Sequence, residues 1–403
     1  MMFDFLLRTP LRKQLFGNTL SQIIGRVISA LATLGITILL ARRFGADGYG
    51  DFVKITTFVA FFYLLADFGY NAIFLRDETH WHDLLGLRIV TSVFLVSIAL
   101  VVLLIIPHGT TQGYTLLVRF GILLFIPTIL FQALTTSANA LFQKHLRYDA
   151  SAIAIAVGSC TSLILVWISS GIIPAITAIL IGSGLTALVS LVLSKSFIKT
   201  FGISLSPLRL RSLFIASFPL GLTLLFNVVY FHIDSIILTF TRTSAEVGIY
   251  GLAYKIFELP LVLPTFFMNA LYPVMLTYQK NELKHIIRKS CILLFFTSLL
   301  FTVAVWFSAP LLVYIKTDFS SAIPALRVLS LGLPFFFLSS LTMWILIAAR
   351  KQHALVYIYG GSMVFNIALN MVFIPQYGYM AAAWITVASE ALVLLVSGIA
   401  VVL

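Results

Sequence analysis

From Gly17 to its last residue the chain alternates long apolar stretches with short polar breaks. An apolar run of eighteen residues or more has the length of a helix that crosses the roughly 30 Å hydrocarbon core of a bilayer. Such runs recur too often, and too evenly spaced, to be the buried helices of a soluble core. The pattern predicts twelve transmembrane helices, at 17–41, 53–75, 84–107, 119–141, 150–170, 173–194, 212–240, 247–276, 290–316, 322–349, 354–374 and 379–403. The longest break is basic and divides them evenly, into a lobe over 1–194, a linker over 195–211 and a second lobe over 212–403.

The two halves resemble each other. Ala46-Asp47-Gly48-Tyr49-Gly50-Asp51-Phe52-Val53-Lys54-Ile55 follows the first span and Ala245-Glu246-Val247-Gly248-Ile249-Tyr250-Gly251-Leu252-Ala253-Tyr254-Lys255-Ile256 follows the seventh, and the two align with small gaps. The fourth span ends in Gln143-Lys144-His145 and the tenth in Arg350-Lys351-Gln352-His353. Halves with an even number of spans enter the membrane from the same side, so they are expected to be parallel repeats about an axis along the membrane normal, framing a central cavity. The expected fold is therefore an all-α integral membrane protein.

Composition agrees with this reading. Of 403 residues 60% are hydrophobic and 10% charged, and the mean hydropathy is +1.06, against about a quarter charged in a soluble domain. A net charge of +12 is also the footprint of nucleic-acid binding, but here the basic residues gather in alternate breaks. If the amino terminus is cytoplasmic, seventeen of the twenty-six lysines and arginines lie on that side, eight lie opposite and Arg26 lies inside a span. That bias places both termini in the cytoplasm and leaves no reason to expect nucleic acid. The first fifteen residues carry Arg8, Arg12 and Lys13 and lead into a full-length span, which reads as no cleavable signal. Cys160 and Cys291 suggest neither a disulfide framework nor a metal site. With no phosphate-binding loop, no zinc-ligand cluster and no outside break long enough for a catalytic domain, the chain is expected to be a transporter rather than an enzyme, without metal or cofactor.

Candidate chemistry lies in the polar residues that interrupt the spans. Asn18, Gln22, Arg26, Ser29, Thr33 and Thr37 recur at steps of three or four and share one face of the first span. An arginine inside a bilayer needs water, a counter-ion or a ligand. Its planar fork suits phosphate oxygens, so Arg26 is part of an anionic substrate site, a structural residue paired with an acid such as Asp67 or Asp234, or a side chain that snorkels to the inner interface. Thr223, Asn227, Tyr230 and Asp234 repeat the stripe on the seventh span, with Asn227 near the position of Arg26. Lys255 stands three residues from Glu258, and Lys54 takes the equivalent place in the second span; both lysines either contact substrate or reach headgroups. Asp67, Asp234, Glu258 and Glu390 are candidates for ion coupling, with a proton or sodium gradient as the driving force. Pro260, Pro264 and Pro273 are expected to bend the eighth span.

Several stretches together resemble the Wzx-type polysaccharide flippases of the multidrug/oligosaccharidyl-lipid/polysaccharide exporter superfamily. These are Ala41-Arg42-Arg43-Phe44-Gly45-Ala46-Asp47-Gly48-Tyr49-Gly50, Asp234-Ser235-Ile236-Ile237-Leu238 with the Val247–Lys255 stretch, and Ile374-Pro375-Gln376-Tyr377-Gly378-Tyr379-Met380-Ala381-Ala382-Ala383 followed by Thr386 and Glu390. The resemblance implies two six-helix lobes around a cavity open to alternate sides. It implies a substrate of oligosaccharide linked through pyrophosphate to undecaprenol, moved from the cytoplasmic to the periplasmic leaflet of a bacterial inner membrane for O-antigen or other lipopolysaccharide-type surface glycans. A polysaccharide polymerase and a chain-length regulator are the protein partners it suggests. Related lipid II flippases carry cations on the first, second and eighth helices, which correspond to Arg26, Lys54 and Lys255 here. The polar stripe residues Asn18, Gln22, Thr33, Asn227 and Tyr230 are then expected to meet the sugars. The rival readings are a multidrug cation antiporter of the same fold, which predicts an acidic cavity, and a polytopic sugar polymerase or ligase, which predicts a large outside loop.

Overall fold

The computed structural model describes residues 10–76, 80–198, 202–277, 280–349 and 351–402; within these ranges the side chains of 10–24, 26, 76, 270, 273–274, 276–277, 280–281, 352 and 402 are not described. Asn18, Gln22 and Arg26 therefore lie outside the described side chains, although the backbone at these positions is helical.

The first half of the chain forms α1 (Pro10–Leu65), α2 (Tyr70–Arg76), α3 (Trp81–Ile105), α4 (Leu116–Phe125), α5 (Thr128–Lys144), α6 (Tyr148–Ile168) and α7 (Ile172–Ser194). The second half forms α8 (Pro207–Thr241), α9 (Ser244–Thr277), α10 (Lys280–Ser308), α11 (Ala322–Ser330), α12 (Leu333–Ala348), α13 (Gln352–Tyr377) and α14 (Tyr379–Val402). Among the described residues the only extended pairings are two isolated bridges, His108 with Tyr114 and Gln112 with Thr243.

Among the described residues, eleven helical stretches are long and apolar enough to cross a membrane. One of them, Val27–Leu75, runs for 49 residues, about 74 Å at 1.5 Å per residue and more than twice a bilayer core. It is broken at Gly45, whose φ of 69° and ψ of −168° no helix contains. Counted as two, it brings the spans to twelve, as the hydrophobic pattern predicts. Gly45 is a glycine for a conformational reason, since positive φ strains any residue with a Cβ.

The fourth and tenth spans share a further feature. Leu116–Lys144 breaks between α4 and α5 at Pro127, and Thr317–Ala348 breaks between α11 and α12 at Gly332, with proline in the first turn of α12. Proline supplies no backbone N–H and is accommodated at least cost at a helix start. The internal repeat therefore extends to where the helices are interrupted. Within α9, Pro260 and Pro264 leave the helix continuous from Ser244 to Thr277.

By compactness the chain divides into two units. Unit 1 holds the chain to Leu40 with Ile55–Gly109 and Tyr114–Val228; unit 2 holds Ala41–Lys54, Thr110–Gly113 and Val229–Leu403. The division thus falls inside α8 and twice inside α1. In unit 1, α6 and α7 approach closely: a Cβ on Gly158 would strike the Gly182 carbonyl and Thr186, and one on Gly182 would strike the Gly158 carbonyl and Ser162. Small residues four apart on both helices let the backbones meet where burial of apolar surface gives no drive for association. Tyr70, Phe74, Trp81, Leu84, Leu85 and Leu141 form an apolar cluster at one end of this unit, with Phe68 stacked on Phe214. In unit 2, Tyr230, Leu346, Ile358 and Val393 form a comparable cluster.

Candidate functional site

Unit 1 contains a cavity of about 390 Å³. Ser29 and Thr33 of α1 line it, with Tyr63 near the end of the same helix. α5 contributes Thr128, Gln132, Thr135 and Asn139, α6 contributes Ser159 and Ser162, and α7 contributes Ser183 and Thr186. These residues reach a common space because each helix repeats its polar positions at three- and four-residue steps, the device that marks the first span. Thr135, Ser183 and Thr186 donate to carbonyls of their own helices, at 2.9, 2.9 and 3.0 Å, which keeps their oxygens available as acceptors. The Asn139 Oδ1 is buried with no hydrogen-bond partner. No lining residue is charged, so the cavity offers neutral donors and acceptors suited to hydroxyl-rich molecules, with no charge to draw an ion.

Of the residues singled out from the sequence, Ser29 and Thr33 line this cavity. Asn227 is exposed and lies on α8 within unit 1. Asp67 pairs with Arg88, whose guanidinium is fully buried; its Nη2 donates to Asp67 Oδ1 at 2.6 Å and to Asn71 Oδ1 at 2.8 Å. Arg88 lies two turns inside α3, with its guanidinium 6.0 Å from the centre of the Tyr70 ring.

Lys54 takes a role that neither sequence reading contains. It is 1% exposed, and its Nζ donates to the Gly113 carbonyl at 3.1 Å and to Ser244 Oγ at 2.9 Å. Ser244 in turn donates to Asp51 Oδ1 at 2.6 Å. A buried ammonium must be hydrogen-bonded or neutralised, and here two carboxylates, Asp51 and Asp47, lie within electrostatic reach. The crossing is tight, for a Cβ on Gly50 would strike the Ser244 carbonyl. In this arrangement Lys54 pins residues 51–54 and 113 to the start of α9, all within unit 2. Lys255 and Glu258 pair at 3.0 Å and are both partly exposed.

Two further carboxylates of unit 2, Asp234 and Glu390, are buried among hydroxyls. Tyr250 donates to Asp234 Oδ2, the Ser235 N–H donates to Oδ1 at 2.6 Å, and Tyr250 lies 3.3 Å from Thr386 Oγ1. Glu390 accepts from Ser339 at Oε1 and from Tyr230 at Oε2, the latter at 3.0 Å. Tyr230 is thus a partner of Glu390. Further along, Asn366 donates to Ser389 at 3.0 Å and Asn370 to Asn366 at 2.8 Å. Among the described residues no lysine or arginine pairs with Asp234 or Glu390.

A family model described as "Polysaccharide biosynthesis protein" matches residues 15–279, about two thirds of the chain. The chain belongs to the polysaccharide biosynthesis protein family. A second model, MatE, matches residues 219–372. No curated protein sequence matches the chain. Among solved structures it is similar to the lipid II flippase MurJ in an inward closed conformation, with a TM-score of 0.78, 18% identity and coverage of 96% of this chain and 88% of that one. It is similar to an inward-facing multidrug resistance MATE family transporter of the MOP superfamily, with a TM-score of 0.72, 14% identity and coverage of 94% and 98%. A MOP superfamily transporter from Pyrococcus furiosus gives a TM-score of 0.64 at 14% identity, covering 98% and 97%. This polysaccharide biosynthesis protein is therefore a multi-pass membrane protein with the fold of the MOP superfamily, as the resemblance to its flippases leads one to expect.

Several residues of this family member escape a reading of charge alone. Gln132, Asn139, Ser159 and Ser183 are neutral and individually unremarked among apolar neighbours, but Thr128, Gln132, Thr135 and Asn139 fall at steps of four, three and four, the spacing of a polar helical face. Asn366 and Asn370 carry the same signal, four apart in an apolar run.

Proposed function

We propose that the chain is a flippase that moves undecaprenyl-pyrophosphate-linked oligosaccharide from the cytoplasmic to the periplasmic leaflet of a bacterial inner membrane, by alternating access, with both termini cytoplasmic. The glycans built from such units are surface polysaccharides of the O-antigen kind, finished by a polymerase and a chain-length regulator. The observation that carries this reading is the uncharged, hydroxyl- and amide-lined cavity of unit 1 in a chain of the polysaccharide biosynthesis family. Sugars are recognised by many modest neutral hydrogen bonds, each worth about 0.5–1.5 kcal/mol net. Position 26 precedes Ser29 and Thr33 by three and seven residues on the same helical face, so Arg26 in this proposal takes the pyrophosphate as the glycan occupies the cavity. Asn18, Gln22 and Asn227, like Arg26 in unit 1, extend the polar lining, and Lys255 of unit 2 supplies a second cation for the substrate. With Asp67 paired to Arg88 and Glu258 to Lys255, Asp234 and Glu390 remain as the carboxylates for coupling to an ion gradient.

The reading is tested by binding. Purified protein in lipid nanodiscs is titrated with undecaprenyl pyrophosphate, with and without its oligosaccharide. The sugar is expected to tighten binding, and Asn139→Leu or Thr33→Val to remove a few-fold to tenfold of that gain while leaving the sugar-free lipid unaffected. Equal affinity for both lipids would refute the role of the cavity. The multidrug antiporter reading draws on the MatE match over 219–372 and on the two buried carboxylates of unit 2; it predicts that an organic cation competes for binding and that Asp234→Asn abolishes the competition.

A further inference from the structure

Glu390 is 4% exposed and sits on α14 one turn after Thr386. Its two oxygens have different partners, Ser339 of α12 on Oε1 and Tyr230 of α8 on Oε2. Ser339 also has a second acceptor, the Phe336 carbonyl at 3.2 Å in the preceding turn of its own helix. Among the described residues, the titratable groups within electrostatic reach of Glu390 are phenols, namely Tyr230 from α8, Tyr254 from α9 and Tyr359 from α13. Ser339 is the partner from α12, and among the described residues no cation pairs with the carboxylate.

A buried carboxylate so placed can take a hard cation or a proton. Hard cations are held by about six oxygens, whereas Glu390 has two hydroxyl partners, both donating toward it. A proton needs one acceptor. When it bonds to Oε1, the new O–H donates to Ser339 Oγ and the serine hydroxyl turns to the Phe336 carbonyl, while Tyr230 continues to donate to Oε2. Every polar atom keeps a partner in both forms, so neither leaves the desolvated, unmatched group that makes buried polar sites costly. The proton comes from water and returns to water, and no other covalent bond changes.

We propose that Glu390 is a reversible proton-binding site and that Ser339 is the hydroxyl that exchanges acceptors when it loads. The inference deepens the transport reading, in which Glu390 couples the proton gradient to substrate movement; the binding itself needs no substrate. Its effect is local and two-state: Ser339 passes from donating to α14 to accepting from it, which alters the contact between α12 and α14.

The test is infrared difference spectroscopy of the full chain in nanodiscs, titrated with acid and without lipid-linked substrate. A carboxylic C=O band is expected to appear as pH falls, to be lost in Glu390→Gln, to shift in Ser339→Ala and to persist in Asp234→Asn. Glu390→Gln keeps an acceptor for Tyr230; should it fail to fold, the shift in Ser339→Ala decides. A band unmoved by Ser339→Ala or retained in Glu390→Gln overturns the proposal. So does binding of radioactive sodium that Glu390→Gln abolishes. Failure to flip lipid-linked glycan with the band intact would refute the flippase reading and leave the proton site standing.

Discussion

The pair formed by Arg88 and Asp67 should respond asymmetrically to loss of either partner. Arg88 is fully buried, whereas the Asp67 side chain is 38% exposed. Asp67→Ala leaves a buried guanidinium with Asn71 as its remaining hydrogen-bond partner among those described, since Nε and Nη1 have none. Breaking a buried ion pair in this way costs about 3–5 kcal/mol. The lower end applies here, because Asn71 remains and because solvent already screens Asp67. Arg88→Met instead removes the charge that needs a partner and retains an apolar stem of similar reach. The half-exposed carboxylate left behind can hydrate, so the loss should be about 1 kcal/mol. The double variant should resemble Arg88→Met alone, because the stranded charge is the source of the penalty, and the two changes are therefore non-additive. Thermal melts of detergent-solubilised protein, followed by tryptophan fluorescence at one heating rate, give the ranking. A lower midpoint for Arg88→Met than for Asp67→Ala, or an additive double variant, would refute the reasoning.

Three further outcomes follow from the same kind of argument. Lys54→Met leaves the Gly113 carbonyl and the Ser244–Asp51 pair without their cation and should cost about 2–3 kcal/mol, read as a lowered melting midpoint that Lys54→Arg does not restore, because the larger fork does not fit so closed a crossing. Gly158→Leu places a side chain where the Gly182 carbonyl lies and should lower folded yield on size-exclusion chromatography by an amount matching about 3 kcal/mol or more of overpacking. Lys255→Met, at a partly exposed pair, should change stability by less than about 1 kcal/mol while slowing substrate movement in proteoliposomes; unchanged transport would assign Lys255 to its pairing with Glu258 alone.

Much of the architecture was legible because it depends on local pattern. Apolar runs mark the spans, and the matching interruptions at Pro127 and Gly332 show the likeness of the two halves. The break at Gly45 follows from a positive φ in a stretch twice too long to span once. What charge alone could not reveal was which partner a buried ion would find. Lys54 and Ser244 are 190 residues apart in sequence, and the alignment of Lys54 with Lys255 suggested a common role for one lysine that is sealed and another that is half exposed. Arg88 lies near the start of its span, where sequence does not show that it turns inward to Asp67 and Asn71. The cavity was half legible: Thr33 was flagged beside Arg26, whereas its neighbours on α5, α6 and α7 carry no charge, and only their periodicity distinguishes them from apolar surroundings.

The central claim is that the chain moves a lipid-linked glycan across the membrane, and the most direct measurement is translocation of fluorescent undecaprenyl-pyrophosphate oligosaccharide in proteoliposomes under an imposed proton gradient. The account predicts movement by the intact protein, abolished by Arg26→Ala, restored in part by Arg26→Lys and reduced by Asn139→Leu, with melting midpoints unchanged. Proteoliposomes that leave the glycan lipid in place and expel an organic cation instead would contradict it, and would place the chain with the multidrug antiporters of the same fold.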